Sequence, residues 1–233
     1  MSQRSAILAL DTGSPTVSVA VARGGEVLAG RAVEIGRSSQ RLLAMIDESL
    51  VEAGVERGGL DGIVALAGPG SFTGLRVGLA TALGLHQALE VPAVALPTLE
   101  ALALAVSEEA AGERRRVATV VDVLRGEWAC QEWTVNGAPP KPRGEAERLS
   151  GEELEARWAG GEPVEVVGYG AKAALGGRFA ASMEEGRVRF TEPAALAGPA
   201  ALAASVRTPE WDAATLTAPL YFRPPAVTKP KKR

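Results

Sequence analysis

The stretch "AGPGSFTGLRVG" at residues 67 to 78 contains four glycines and follows an apolar run, a composition typical of loops that cradle phosphate. A phosphate-binding P-loop has glycine, four residues and then Gly-Lys-Ser or Gly-Lys-Thr, because lysine meets the phosphate charge and the hydroxyl meets magnesium. This stretch has no lysine, and Thr73 stands where the dinucleotide pattern G-x-G-x-x-G requires its third glycine. The stretch therefore carries neither nucleotide motif.

The same stretch predicts a turn that leads into a helix from about residue 71 to residue 89. A Pro-Gly pair suits the turn, and Ser71 suits the N-cap. Within the helix, Gly74 and Gly78 each cost about 1 kcal/mol relative to alanine, so their missing side chains must serve close packing. With Ala82 they form a smooth stripe. The sequence leaves open whether the stripe packs on the protein's own sheet or against a partner's helix.

The composition narrows the class of protein. Of 233 residues, 46% are hydrophobic, and 25 lysines and arginines face 28 acidic residues, giving a net charge of -3. This balance creates no global basic field, so any RNA contact would have to be local. The chain has one cysteine and no signal-peptide pattern, which predicts a cytoplasmic protein. Its apolar runs are shorter than the about 20 residues that a membrane span needs, so we expect no membrane anchor.

A single histidine, His86, excludes much enzyme chemistry. A zinc site with several imidazoles is impossible, and a Ser/His/Asp catalytic triad would have to include His86. We therefore predict no metal site and a structural or surface role for His86.

Hydrophobic patterning predicts strands and helices in α/β order. The first three strands form a meander whose hairpin turns at Gly24 and Gly25, so the predicted sheet is mixed. The predicted strands lie at 6–11, 16–22, 26–34, 60–68 and 92–97, and the predicted helices at 39–54, 71–89 and 98–107.

The second half repeats the plan of the first after a charged boundary at 107–116. A buried strand again ends in an aspartate and is followed by a turn and an alternating strand. Asp122 stands 111 positions after Asp11, and Trp128 stands 111 positions after Val17. We interpret this as a degenerate internal duplication; the alternative is that two hairpins of similar length align by chance.

The repeat divides the chain into three predicted parts. Residues 1–106 form an N-terminal subdomain, residues 107–217 a smaller second subdomain, and residues 218–233 an extended segment with a basic tail. In the second part we predict a strand at 162–170 and a helix at 193–206. The tail "TKPKKR" is either a solvated tip or a contact to tRNA phosphates.

Six segments together resemble the bacterial TsaB (YeaZ) family. They are "ILALDTGSPTVSVAV", "SSQRLLAMIDESLVEAG", "LDGIVALAGPGSFTGLRVGLATALGL", "VPAVALPTLEALA", "VVDVLRGEW" and "PLYFR". The likeness is strong over residues 6–106 and patchy thereafter. It implies an actin-like ATPase fold of the acetate and sugar kinase superfamily, with two related α/β subdomains whose mixed β-sheets are flanked by helices.

The resemblance also implies a role in the cytoplasmic machinery that installs threonylcarbamoyladenosine next to the anticodon of tRNA. There the related subunit TsaD transfers the threonylcarbamoyl group, the ATPase TsaE assists, and TsaB is the non-catalytic partner of TsaD. We accordingly expect a scaffold or activating subunit that meets TsaE through the complex and tRNA only indirectly.

The catalytic groups of the TsaD relative are missing here. Its two metal-binding histidines, spaced H-x-x-x-H, fall on Thr98 and Leu102, which cannot replace imidazole ligands. We expect no catalytic residue. The alternative is an actin-like kinase or metal-dependent hydrolase with its own active site, which steady ATP turnover or one equivalent of bound metal would reveal.

The first turn of the chain stands where actin-like ATPases face phosphates. It consists of Asp11, Thr12, Gly13 and Ser14, whereas the turn after Asp122 lacks the small residues that let the backbone approach phosphate. The resemblance thus implies at most weak, vestigial ATP or ADP binding and no required cofactor. The alternative is that both aspartates only cap strand ends.

The resemblance places the partner contact on the helices at 39–54 and 71–89. They would form a bundle with the equivalent helices of TsaD or of a second copy of the chain. Where the family has a histidine-serine pair before the first of these helices, this chain has Ser38-Ser39. The predicted contact residues are Leu42, Leu43, Ile46, Leu50, Gly74, Gly78 and Ala82.

Overall fold

Two mixed β-sheets form the frame of the molecule, whose computed structural model describes residues 5–34, 41–107, 112–137, 139–206 and 209–222. The first sheet consists of β1 (Ala6–Asp11), β2 (Thr16–Arg23), β3 (Glu26–Glu34), β4 (Gly62–Gly68) and β5 (Ala93–Pro97). Its strand order is β3-β2-β1-β4-β5. The Ser38-Ser39 pair, the start of the helix predicted at 39–54 and the basic tail lie outside the described residues.

The second sheet is built from the other half of the chain. Its strands are β6 (Arg115–Asp122), β7 (Glu127–Val135), β8 (Lys141–Pro142), β9 (Glu147–Ser150), β10 (Val164–Val167) and β11 (Val188–Thr191). The order is β11-β10-β6-β7-β8, and β9 pairs with β7 as well.

The two sheets share one topology, which confirms the predicted common plan of the two halves. In each, the first strand is antiparallel to the second and parallel to a later one: β1 to β2 and β4, β6 to β7 and β10. The first turn is one residue shorter in the second half, since Asp11 faces Ser18 whereas Asp122 faces Trp128. Trp128 therefore corresponds to Ser18 and not to Val17.

Helices fill the layers outside and between the sheets. They are α1 (Leu42–Glu52), α2 (Phe72–Leu89), α3 (Thr98–Ala105), α4 (Gly151–Trp158), α5 (Ala171–Leu175), α6 (Ala180–Glu184) and α7 (Ala197–Val206). The first two cover the outer face of the first sheet, α3 and α7 lie between the sheets, and α4 to α6 cover the outer face of the second. Within the described ranges no helix has the length and apolar character needed to cross a membrane.

Strand β1 is buried on both faces because helices cover both sides of its sheet. Ile7 and Ala9 contribute to the middle layer, whereas Leu8 and Leu10 contribute to the core under α1 and α2. The uninterrupted apolar run of this strand is what a central, doubly covered strand requires.

The chain returns to the first sheet near its end, which corrects the boundaries predicted for the second subdomain at 107–217. Helix α7 packs on β1 and β2. The Ala197 N–H donates to the Ser18 hydroxyl at 3.2 Å, and the Gly25 N–H donates to the Ser205 hydroxyl at 3.1 Å. Because α7 is enclosed between two sheets, its sequence is apolar all round and gives no sign of the sheet to which it belongs.

The segment after α7 covers the free edge of the first sheet. Trp211 lies directly on Gly62, where a side chain would collide with the indole ring. In the 3₁₀ turn Ala213–Thr217, the Thr215 hydroxyl accepts a hydrogen bond of 2.9 Å from the Ala95 N–H of edge strand β5. The segment thereby occupies an edge N–H group that could otherwise pair with another chain. Because of these contacts with β4 and β5, the segment is part of the N-terminal unit.

The glycines of α2 pack against the protein's own first turn. Ser71 caps the helix as predicted, its hydroxyl accepting from the Gly74 N–H at 3.3 Å. A Cβ at Gly74 would collide with the carbonyl oxygen of Thr12, and a Cβ at Gly78 with the Thr12 hydroxyl. Of the two alternatives for the smooth stripe, internal packing is the one that the structure has.

Two glycines of the same helix give a matched test of this packing. We expect Gly74→Ala to lower the free energy of unfolding by about 2 kcal/mol or more, because the new methyl group meets rigid backbone. Gly84→Ala should raise it by about 0.5 to 1 kcal/mol, because nothing lies within 4 Å of that position and alanine is the better helix former. Urea denaturation of both variants measures the two effects, and equal effects would contradict the packing described above.

Candidate functional site

A cleft of about 380 Å³ lies where the first strands of the two sheets end. Its walls are the turn at 13–15, the loop at 69–71, the end of β6 at 120–122, Thr98 and Tyr169. The cleft therefore brings together both predicted turns and the start of α3, three segments that are remote in sequence.

Asp11 is fully buried at the end of β1, beside this cleft. One carboxyl oxygen accepts hydrogen bonds from the N–H groups of Gly13 at 3.0 Å and Ser14 at 3.1 Å. Its other oxygen is buried without a hydrogen-bond partner among the described residues. Burial raises the pKa of Asp11 from 3.8 to about 6, although the neighbouring Ser14 and Gly13 groups oppose this rise.

The first turn uses its own hydrogen-bonding groups internally. The Gly13 carbonyl accepts from the Ser71 N–H at 2.8 Å, and the Thr12 hydroxyl donates to the Gly74 carbonyl at 2.7 Å. Thr12 thus faces α2, which corrects its assignment to a nucleotide site. The N–H groups of Gly13 and Ser14 are occupied by Asp11, so the geometry matches the capping alternative for this turn.

The second turn also contains an internal hydrogen bond. The Asp122 carboxylate accepts from the Leu124 N–H at 2.6 Å, and Leu124 and Arg125 both have positive φ angles, of 70° and 61°. Among the described residues that line the cleft, none is a lysine or arginine. The cleft therefore offers a phosphate neither free N–H groups from the first turn nor a positive side chain.

The two positions that the resemblance aligns with metal-binding histidines are buried here. Thr98 is 2% exposed, and Leu102 is fully buried between the sheets. No group of three or more His, Cys, Asp or Glu side chains that could hold a metal ion occurs in the described part of the chain. His86 has a structural contact, because its Nδ1 lies 2.7 Å from the Val91 carbonyl oxygen and must donate to it.

Of the partner-contact residues predicted on α1, three point into the core and one points to the solvent. Leu42, Ile46 and Leu50 are 2 to 4% exposed and form the core under α1, so their side chains cannot reach a partner. This corrects their assignment to an interface. Leu43, by contrast, is 63% exposed, and Val51, which the prediction left out, is 82% exposed. Both apolar side chains project from the outer surface of α1.

Helix α2 requires the same correction for Gly74, Gly78 and Ala82. The two glycines contact Thr12, and Ala82 is fully buried in the core beneath the helix. The outward line of α2 is instead Arg76, Ala80 and Gly84, which recur every four residues and are exposed. Small residues occur on both sides of α2, so residue size alone could not tell the inner stripe from the outer one.

The raised pKa of Asp11 predicts a pH-dependent cost to stability. In the folded chain Asp11 stays protonated up to about pH 6, whereas in the unfolded chain it ionises near pH 4, so stability falls as pH rises between these values. We expect the advantage of Asp11→Asn over wild type to grow by about 2 to 3 kcal/mol from pH 4 to pH 7. Urea denaturation across this range measures it. Asp122→Asn, at an exposed position, is the control, and parallel curves for both variants would contradict the prediction.

Comparisons with known proteins agree with this architecture. The sequence model of the family described as TsaD, tRNA N6-adenosine threonylcarbamoyltransferase, matches residues 35–136. The chain is 37% identical over 106 residues to the tRNA threonylcarbamoyladenosine biosynthesis protein TsaB of Haemophilus influenzae, covering 46% of this chain and 45% of that protein. It is 32% identical over 133 residues to TsaB of Escherichia coli, covering 56% and 57%. The chain thus spans about half the length of these curated relatives.

A solved structure extends the likeness over nearly the whole chain. A Pseudomonas aeruginosa protein, described as uncharacterised with similarity to peptidase YeaZ, superposes with a TM-score of 0.76 at 29% identity. The match covers 94% of this chain and 100% of the other. The chain is thus similar to TsaB (YeaZ) proteins, in sequence over about half of its length and in fold over nearly all of it, and it has the two-subdomain α/β fold with repeated mixed sheets that the solved relative also has.

Proposed function

We propose that this chain is an accessory subunit in the formation of threonylcarbamoyladenosine in tRNA and that it pairs with the transferase subunit TsaD. The observation that carries the proposal is its similarity to TsaB proteins of two bacteria whose names state this biosynthesis. The match to the TsaD family over residues 35–136 supports it, because that region contains both outer helices. Proteins of related fold can pair through equivalent helices, as in a pseudo-symmetric dimer.

We further propose that the chain has no catalytic activity of its own and requires no cofactor. The first turn spends its N–H groups on Asp11, and the two metal-ligand positions hold Thr98 and Leu102. Threonylcarbamoyl transfer would then occur on TsaD, with TsaE acting through the complex and tRNA contacting this chain only indirectly. Such a complex would operate in the cytoplasm, where tRNA is modified.

The rival function is an actin-like kinase or a metal-dependent hydrolase. The Pseudomonas aeruginosa relative is described by similarity to a peptidase, which is the hydrolase alternative. A hydrolase needs an activated water or a nucleophile, and a kinase needs charge to hold phosphates. The cleft lining of the described residues supplies neither a basic side chain nor a histidine. The accessory role is therefore the better supported of the two.

The outer faces of α1 and α2 are the surface that we assign to TsaD or, in isolation, to a second copy of the chain. Leu43 and Val51 are large apolar side chains at 63% and 82% exposure on the outer surface of one helix, where they offer apolar area for a partner to bury. Ala80 and Gly84 leave the neighbouring helix smooth, so another helix can approach closely.

Depletion of the protein tests the proposed pathway. Nucleoside analysis of bulk tRNA from depleted cells should show loss of threonylcarbamoyladenosine, with recovery when the chain is expressed again. Other modified nucleosides in the same digest serve as the internal control. An unchanged level after complete depletion would contradict the proposed function.

A charge on α1 tests the proposed surface. Leu43→Arg should weaken the complex with TsaD by at least about tenfold, because it buries an unpaired charge among apolar groups. Leu124→Arg is the matched control, since Leu124 is 68% exposed but lies in the turn of the second half. Size-exclusion chromatography and titration calorimetry measure both complexes. Equal affinity for the two variants would rule out this face of α1.

A further inference from the structure

Arg76 on α2 is held in one orientation by two aromatic rings. Its guanidinium lies 3.9 Å from the centre of the Phe72 ring, one helical turn earlier. Its Nε donates a hydrogen bond of 3.2 Å to the hydroxyl of Tyr221, and the rings of Phe72 and Tyr221 are 5.0 Å apart. The side chain is nevertheless exposed.

Tyr221 reaches this position because the segment that contains it is hydrogen-bonded to the first sheet. The Leu220 N–H donates to the Ala67 carbonyl at 2.8 Å, at the end of β4. On the other side, Arg148 of β9 donates to the Phe222 carbonyl at 3.5 Å. Each neighbour of Tyr221 therefore has a hydrogen bond to a different half of the molecule, and these bonds place Tyr221 beside Arg76.

This arrangement leaves the donors of Arg76 facing outward. Within the described part of the chain, its two terminal nitrogens have no acceptor, and α2 contains no acidic residue. A flexible surface arginine loses side-chain entropy when it binds, whereas a stacked guanidinium is already ordered. Two parallel N–H donors in one plane match a carboxylate.

Arg76 also continues the outer line of α2 through Ala80 and Gly84. These small residues admit a helix, and Arg76 stands at the N-terminal end of the line. Arginine and tyrosine are also the residue types enriched at the centres of protein interfaces.

We propose that Arg76 is the anchor by which α2 binds a carboxylate on a helix of the partner protein, and that Tyr221 is its positioning residue. The inference rests on the proposed pairing with TsaD and adds to it the chemistry of the contact. The inference also assigns a role to residues 219–222, which is to hold this arginine rather than to contact the partner directly.

The test measures the affinity of the full chain for TsaD of the same genome by titration calorimetry at two salt concentrations. Arg76→Met should weaken binding at least about tenfold and reduce its salt dependence, because it removes one charge pair. Arg76→Lys should lose most of the same affinity, since an ammonium group lacks the planar pair of donors. Tyr221→Phe should weaken binding about two- to fivefold while keeping the salt dependence, because only the support of Arg76 is lost.

The control variant is Arg125→Met, an exposed arginine in the turn of the second half, which should bind as wild type does. One outcome overturns the inference while the proposed function stands. In it, wild type and Leu124→Arg bind TsaD, Leu43→Arg fails to bind TsaD, and Arg76→Met binds TsaD as wild type does. If wild type itself does not bind TsaD, the proposed pairing fails first. If Arg76→Met binds TsaD normally but loses affinity for tRNA, the arginine belongs to an RNA contact and the inference is again overturned.

Discussion

The contact between the first turn of the chain and the start of α2 is the constraint on which the rest of the structure depends. Thr12 sits beneath the helix, with its hydroxyl bonded to the Gly74 carbonyl and its side chain against Gly78. The approach is so close that only glycine fits at both positions. This contact sets the position of α2 on the sheet, and thereby decides which of its residues face outward.

The same contact explains why the first turn offers the cleft few free backbone N–H groups. The N–H groups of Gly13 and Ser14, which a phosphate would need, already donate to the Asp11 carboxyl group. The hydrogen bonds of the first turn thus match a turn that caps its strand end. The surface that we propose for recognition lies outside, on α1 and α2, where apolar and small residues are exposed beside Arg76.

The two halves of the chain are less separate than their repeated topology suggests. Helix α7 and the segment at 209–222 come from the C-terminal half but pack on the first sheet. The outer surface of α2 is therefore completed by residues that follow it by more than a hundred positions, as with Arg76 and Tyr221. Any change that loosens the C-terminal segment is transmitted to that surface.

The sequence by itself determined the strands and helices of the first half, the elements β6, β7, β10 and α7, the Ser71 cap and the common plan of the halves, because these follow from local periodicity and from turn chemistry. It also indicated that the glycines of α2 serve close packing. It did not indicate β8, β9, β11 or the helices α4 to α6. Only the tertiary structure decided that Gly78 meets Thr12 rather than a partner, that Leu42 points inward while Leu43 points outward, and that α7 lies on the first sheet. The physical reason is that a helix with small or apolar residues on several sides has no sequence signal for which side is covered.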